Sequence, residues 1–368
     1  MEKKRFLTIF PQGRNIHMSK DVGMIPFYLQ KDHNYVCTVA TYYNSDDLGL
    51  SPIDFDLKRR YIKSIFKNSL VDGLLFVIFN GLKYDVVQAY HYDITSLIWL
   101  GVLKFLKGNA VITYLKLDAN EKILSIQHSR FKGKIISFLL NKIDLISVES
   151  KYLSSELSSK WKKRVHHIPN GFHTTSFPLK KQLTKEKVFL TVGRIGAPEK
   201  GHKILLSAFA NFAKLDADWV LWLVGPIDAS FEPFLYNFIK KEGLEERIKI
   251  MGAIYETDKL ELIYQRAGVF VLSSLWESFG LVLVEAINYG CFILSSSVVA
   301  LPEIIDKGKY GLSFNIADEK GLLNGMKWCS VNWIDEIVPK QLVIKEHAYK
   351  NFHWSNIVIK VDQLISNK

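Results

Sequence analysis

Ten short apolar runs, separated by segments of helical spacing, constrain this chain more than any other feature. In the first half they fall at residues 6–10, 35–41, 85–91, 110–117 and 144–148. In the second half they fall at 187–193, 219–225, 247–251, 268–273 and 291–295. Each is continuous and rich in Val, Ile, Leu and Phe, the pattern of strands buried on both faces of a parallel sheet. The intervening segments, such as 202–214, 257–266 and 281–289, repeat their apolar residues with helical spacing. Strand and helix alternating in this way predict doubly wound α/β structure, here in two copies. Residues 70–79 fit either a helix or a strand. The 368-residue length suits two domains, and 48% hydrophobic against 23% charged residues supplies ample core.

The polar, proline-containing stretch 176–187 reads as the linker between the copies. The expected domains are 1–178 and 179–345, followed by a helix over 346–368 that crosses back to the first domain. Cys37, Cys291 and Cys329 are far apart and lack metal-ligand spacing, so a reducing cytoplasm is the simpler expectation. The basic start has too short an apolar part for a signal peptide, and no run approaches a membrane span. The expectation is a soluble or peripheral cytoplasmic protein.

Charge is unevenly placed. Residues 1–180 hold 26 Lys and Arg against 15 Asp and Glu, whereas residues 181–368 hold 22 of each. The whole excess of +11 therefore lies in the first half, which points to an anionic partner there or to a generally basic surface. Residues 57–67 and 129–142 mix basic and apolar side chains at helical spacing. A helix of that kind lies on an anionic membrane or packs its stripe on its own core. Nucleic acid is disfavoured, because the aromatic residues are not clustered with the basic ones.

Two segments of the second half could carry chemistry. In VGRIGAPEKGHK a strand ends at Gly193, and a loop then presents Arg194 and Lys200. Open α/β sheets bind ligands at the carboxyl ends of their strands, and two cations six residues apart could bracket a diphosphate. Taken alone, they read as ordinary surface cations. The loop matches neither a dinucleotide fingerprint nor a Walker loop. In WESFGLVLVEA, Glu277 follows a strand end and Ser278, Phe279, Gly280 and Leu281 open a helix carrying Glu285. Free N–H groups at a helix start attract anions, and carboxylates accept hydrogen bonds from sugar hydroxyls. The arrangement suits a nucleotide-sugar, although Glu277 reads equally as a charge complementing the helix dipole.

These residues resemble the family-4 glycosyltransferases of the GT-B fold. The paired glutamates Glu277 and Glu285 flank Phe279-Gly280-Leu281, and Gly193-Arg194 is followed by Lys200-Gly201. Ile168-Pro169-Asn170-Gly171 and Leu301-Pro302-Glu303-Ile304 with Gly311-Leu312 complete the pattern in order over residues 144–315. The resemblance implies two Rossmann-like domains with a cleft between them, the first binding acceptor and the second binding donor. It implies retaining transfer of a hexose-type sugar from a UDP- or GDP-linked donor, without metal or cofactor. The acceptor would be a glycan or a lipid-linked glycan in surface polysaccharide or glycolipid synthesis. Arg194 and Lys200 would neutralise the diphosphate, Glu277 hold the sugar and Glu285 the ribose.

The first half departs from that family. Single glycines replace the glycine pair of the first loop, and Gly23 is the better candidate for a phosphate contact. Leu117 stands where the family places a histidine; Asp118 and His91, each at a strand end, are the substitutes expected. Two other readings remain open: a nucleotide-sugar epimerase, and a non-catalytic nucleotide-sugar-binding protein on the same fold.

Overall fold

The computed structural model describes residues 2–43, 56–174 and 184–368. It divides into two compact units, Met1–His173 with Phe352–Lys368, and Thr174–Asn351. The expected boundary at 178/179 lies outside the described residues. The helix Val338–Phe352 runs through position 345/346, and the chain passes back to the first unit at 351/352.

The first unit is built on a parallel sheet of β1 (Lys4–Ile9), β2 (Tyr35–Tyr42), β3 (Lys58–Ile62), β4 (Val86–Tyr90), β5 (Ile112–Lys116), β6 (Leu145–Val148) and β7 (His166–His167). Its order is β3-β2-β1-β4-β5-β6-β7. The chain winds outward from β1 in one direction, then returns and winds outward from β4 in the other. Loops after β1 and β4 therefore diverge and leave a crevice at the carboxyl edge. The final helix, Trp354–Ser366, belongs to this unit. It buries Trp354, Ile357, Val358, Val361 and Ile365, a stripe at helical spacing, in the core formed by Phe6, Tyr28 and Tyr35. Tyr35 donates to Asp362 at 2.8 Å. Gly171 makes the chain's return possible: a Cβ there would lie 2.2 Å from the carbonyl oxygen of Phe352.

Two segments differ from the sequence reading or complete it. Residues 57–67 do not form the expected basic amphipathic helix. Lys58–Ile62 is β3, an edge strand paired to β2 alone, and a bend follows. Its basic side chains are those of an exposed sheet edge, which lysine and arginine keep soluble. Residues 70–79, left open between helix and strand, lie within the helix Ser69–Asn80, started by Asn68 accepting from the N–H of Leu70 at 3.0 Å. The segment 129–142 does contain a helix, Arg130–Lys142.

The second unit has strands β8 (Glu186–Val192), β9 (Val220–Val224), β10 (Ile248–Gly252), β11 (Ala267–Leu272), β12 (Phe292–Ser296) and β13 (Gly311–Phe314), all parallel, in the order β10-β9-β8-β11-β12-β13. The direction of winding reverses between β8 and β11, so their following loops open side by side. The expected linker 176–187 is partly structured, since Lys185 is buried and β8 begins at Glu186. The three cysteines are buried as free thiols. Among the described residues, no helix is long and apolar enough to cross a membrane.

Candidate active site

The loops after β8 and β11 carry the residues singled out in the second unit. They are tied together before any ligand is considered. Ser273 Oγ donates to the carbonyl of Lys200 at 2.8 Å, and the N–H of Leu275 donates to the carbonyl of Glu199 at 2.7 Å. The approach is close enough to demand glycine at 201. That residue has φ +63°, and a Cβ on it would lie 2.1 Å from the carbonyl oxygen of Ser273. Glycine there ends the turn before the helix His202–Ala213.

Within this frame Lys200 Nζ donates to Glu277 Oε1 at 2.6 Å, and Ser274 Oγ donates to the same oxygen at 2.7 Å. Both charged side chains are largely buried, at 22% and 15% exposed. Arg194 is different: 70% exposed, it pairs with Glu199 in its own loop. It is the exposed cation of the two, while Lys200 is the largely buried one. Gly193 closes β8 with its N–H donating to the Val224 carbonyl at 2.9 Å. His202 accepts from the N–H of Gly196 through Nδ1 at 3.1 Å. Burial, and then the neighbouring Lys200, depress the His202 pKa to about 4, so the ring is neutral near pH 7. A neutral acceptor nitrogen here keeps the loop backbone in place without adding charge.

Ser278 is half-buried, Phe279 is buried and Gly280 adopts φ +84°, turning the chain into the helix Leu281–Asn288. Leu281 is its first residue. Glu285 lies one turn further, where the hydroxyl of Tyr264 donates to its Oε2 at 3.0 Å.

In the first unit, His91 follows β4 with φ +68° and is exposed; Asp118 follows β5 and is also exposed. Gly23 lies in the first turn of the helix Asp21–Asp32. Its N–H donates to the Lys20 carbonyl at 3.1 Å, and a Cβ would meet the Met18 carbonyl oxygen at 2.2 Å. The close approach at Gly23 is thus to its own chain, and the carboxylate of Asp21 already occupies that helix start.

Sequence reasoning missed a buried charge cluster beneath Asp118. Lys116 and Glu149 have fully buried side chains, with Lys116 Nζ 3.7 Å from Glu149 Oε2 and 3.6 Å from Asp21 Oδ2. Lys116 also reaches Asn170 Oδ1 at 3.3 Å, and Glu149 accepts from the N–H of Ala119 at 2.9 Å. Burial raises the Glu149 pKa well above the usual carboxylate range; Lys116 opposes this and Asp118 adds to it. Burial works against the Lys116 charge, but Glu149 and Asp21 outweigh it and raise its pKa. The available signal was a charge inside an apolar strand, TYLKLD, and another closing the next, SVES.

Residues 175–350 match the family described as glycosyl transferases group 1. The matched segment is nearly the whole of the second unit. Over 311 residues it is 25% identical to a phosphatidyl-myo-inositol mannosyltransferase of Mycobacterium leprae, covering 82% of this chain and 75% of that protein. It is 28% identical to a mannosylfructose-phosphate synthase of Agrobacterium fabrum, but over 44% of this chain and 38% of that one. Among solved structures, a sucrose-phosphate synthase from Thermosynechococcus elongatus superposes with a TM-score of 0.77 at 17% identity, covering 99% of both chains. Anabaena HepE in complex with UDP and glucose superposes with a TM-score of 0.74 at 18% identity, covering 99% of this chain and 100% of that one. These likenesses establish the GT-B fold of two parallel-sheet Rossmann-like domains. The segment that matches the family contains Arg194, Lys200, Glu277 and Glu285 together.

Proposed function

We propose that the protein is a retaining glycosyltransferase that moves a hexose from a UDP- or GDP-linked donor to a glycan or lipid-linked acceptor, in surface polysaccharide or glycolipid synthesis. The observation that carries this reading is the Lys200–Glu277 pair at the reversal point of the second sheet. It sets a cation and a carboxylate side by side where an open α/β sheet takes its ligand.

The roles follow from charge. As the glycosidic bond to the donor breaks, negative charge grows on the leaving diphosphate. Lys200 and Arg194 supply fixed positive charge to it, and preorganised groups of this kind contribute most to such a step. Glu277 accepts hydroxyl hydrogens of the transferred sugar, and Glu285 those of the ribose. A donor therefore replaces one internal ion pair by two favourable contacts, Lys200 to phosphate and Glu277 to sugar. The donor phosphate itself accepts the proton of the attacking hydroxyl on the same face of the sugar, so that configuration is retained. Support for a nucleotide donor comes from the neighbour solved with UDP-glucose. Support for a lipid-linked acceptor comes from the relative named for a phosphatidylinositol substrate.

A panel of UDP- and GDP-sugars tests the donor assignment. Binding to the folded state raises the melting temperature, by an amount that grows with the logarithm of ligand concentration over Kd. One nucleotide class is expected to raise it clearly; no shift with any of them at millimolar concentration would refute the reading. Proton NMR of the turnover mixture then separates transfer or hydrolysis with retention from isomerisation of an intact donor.

A peripheral membrane position is part of the same proposal. The helix Arg130–Lys142 buries Ile136 and Leu140 against its own unit, yet leaves Phe131 77% and Phe138 62% exposed among Arg130, Lys132, Lys134 and Lys142. Exposed aromatics flanked by lysines suit an anionic bilayer surface. Sedimentation with phosphatidylglycerol-containing vesicles is expected, with weak association to pure phosphatidylcholine. Phe131→Ser with Phe138→Ser should release the protein; undiminished sedimentation of that variant would remove this face from consideration.

A further inference from the structure

Tyr264 is the one buried residue of the helix Thr257–Arg266, at 2% exposed. Its ring stacks on Tyr289 with centroids 5.6 Å apart and an interplanar angle of 15°, and on Phe270 at 6.0 Å and 29°. Its backbone is fixed as well: the carbonyl accepts from Lys185 Nζ at 2.9 Å and from Cys291 Sγ at 3.2 Å. Lys185 is itself buried, with an ammonium whose pKa burial lowers. A buried lysine is costly, and this one directs its donor at a main-chain carbonyl. Ring and backbone of Tyr264 are thus both fixed, and its hydroxyl, the one polar atom of the side chain, donates to Glu285 Oε2 at 3.0 Å.

Glu285 stands on an eight-residue helix among the buried residues Leu283, Val284 and Ala286. A glutamate side chain has rotamer freedom that is lost when its carboxylate is held against a ligand. A donor from a rigid aromatic removes that freedom in advance, which is how a supporting residue raises the affinity and selectivity of the group in contact with ligand.

We propose that Tyr264 is a positioning residue that sets the ribose preference of the donor site by holding Glu285. The inference rests on the reading of Glu285 as the ribose-binding carboxylate. The ligand chemistry concerned is the 2′,3′-diol of a nucleoside diphosphate, whichever base it carries. Tyr264→Phe keeps the ring, its stacking and its main-chain contacts, and removes only the hydroxyl.

Titration calorimetry on the full chain with UDP, GDP and their 2′,3′-dideoxy analogues tests this. In the wild-type protein the ribonucleotide should bind more tightly than its dideoxy analogue. Tyr264→Phe should weaken the ribonucleotide roughly tenfold, the scale of a hydrogen bond to a charged group, and the dideoxy analogue less than twofold. In a Glu285→Gln background, Tyr264→Phe should cost nothing further, because the tyrosine acts through the glutamate. Melting curves of each variant report on folding, and a purely structural tyrosine would lower the melting temperature while leaving the ribo-to-dideoxy ratio intact. An unchanged ratio in Tyr264→Phe, or losses that add to those of Glu285→Gln, would overturn the assignment. Failure of the wild-type protein to bind UDP or GDP would instead overturn the donor reading, and the inference with it.

Discussion

Lys200→Ala is expected to lower sugar transfer by about 100- to 1000-fold, with most of the loss in kcat. The magnitude follows from where the charge is needed. Lys200 is held at the floor of the site by Glu277 at 2.6 Å and by the turn that Gly201 closes, so its ammonium is in place before the leaving group develops charge. Arg194, exposed and on a longer arm, cannot substitute from its position against Glu199. Glu277→Gln should also be severe. It leaves Lys200 unpaired and takes the carboxylate from the sugar, so KM should rise along with the fall in kcat. Steady-state kinetics with the donor identified by thermal shift would check both, alongside melting curves showing that each variant folds. Transfer within threefold of the wild-type rate in Lys200→Ala would remove the central assignment.

The second large effect concerns stability. Lys116→Met should destabilise the protein by about 3–5 kcal/mol, because it leaves Asp21 and Glu149 buried without a counter-charge. Both carboxyls already have raised pKa values from burial. Their folded pKa lies above the unfolded one, so the native state holds its protons to higher pH than the unfolded chain. Stability from this source is present at low pH and lost as pH rises through the folded pKa. Without Lys116 those folded values rise further, so the deficit of the variant should grow as pH rises through the raised folded values of the wild-type carboxyls. Urea unfolding of Lys116→Met at pH 5 and pH 8 measures this directly. A deficit that shrinks with rising pH would show that the cluster is not held by the lysine. Asp21→Asn and Glu149→Gln added to Lys116→Met should recover much of the loss, since no uncompensated charge then remains buried.

Much of the architecture was legible from local pattern. GVFVL at 268–272 is apolar on both faces and bounded by polar loops, and a buried parallel strand accounts for that best. β3 was not legible in the same way. LKRRYIK is polar because the strand sits at a sheet edge, and its mixture of basic and apolar residues matches a helix as well as an edge strand. β13, also at an edge, and the two-residue β7 were missed for want of a long apolar run. In the site, Glu277 stood out because a charge lies in the loop beyond a strand end. Tyr264 did not, because an aromatic beside Leu260 and Ile263 on a helix reads as ordinary core. Lys116 and Glu149 were visible as odd residues, but their burial depends on neighbours at Asp21 and Asn170.

Sequence alone therefore determined which side chains stand at the carboxyl ends of the strands. Strand and helix periodicity are local, and the residues that interrupt them are conspicuous. Only the tertiary structure decided which of those ends meet. Lys200 and Glu277 are 77 residues apart and become partners because β11, rather than the intervening β9 or β10, packs on the free edge of β8. That choice is made by whole faces of sheet and helix being buried together. No local pattern encodes it, and the hydrogen bond from Tyr264 to Glu285 follows from the same packing.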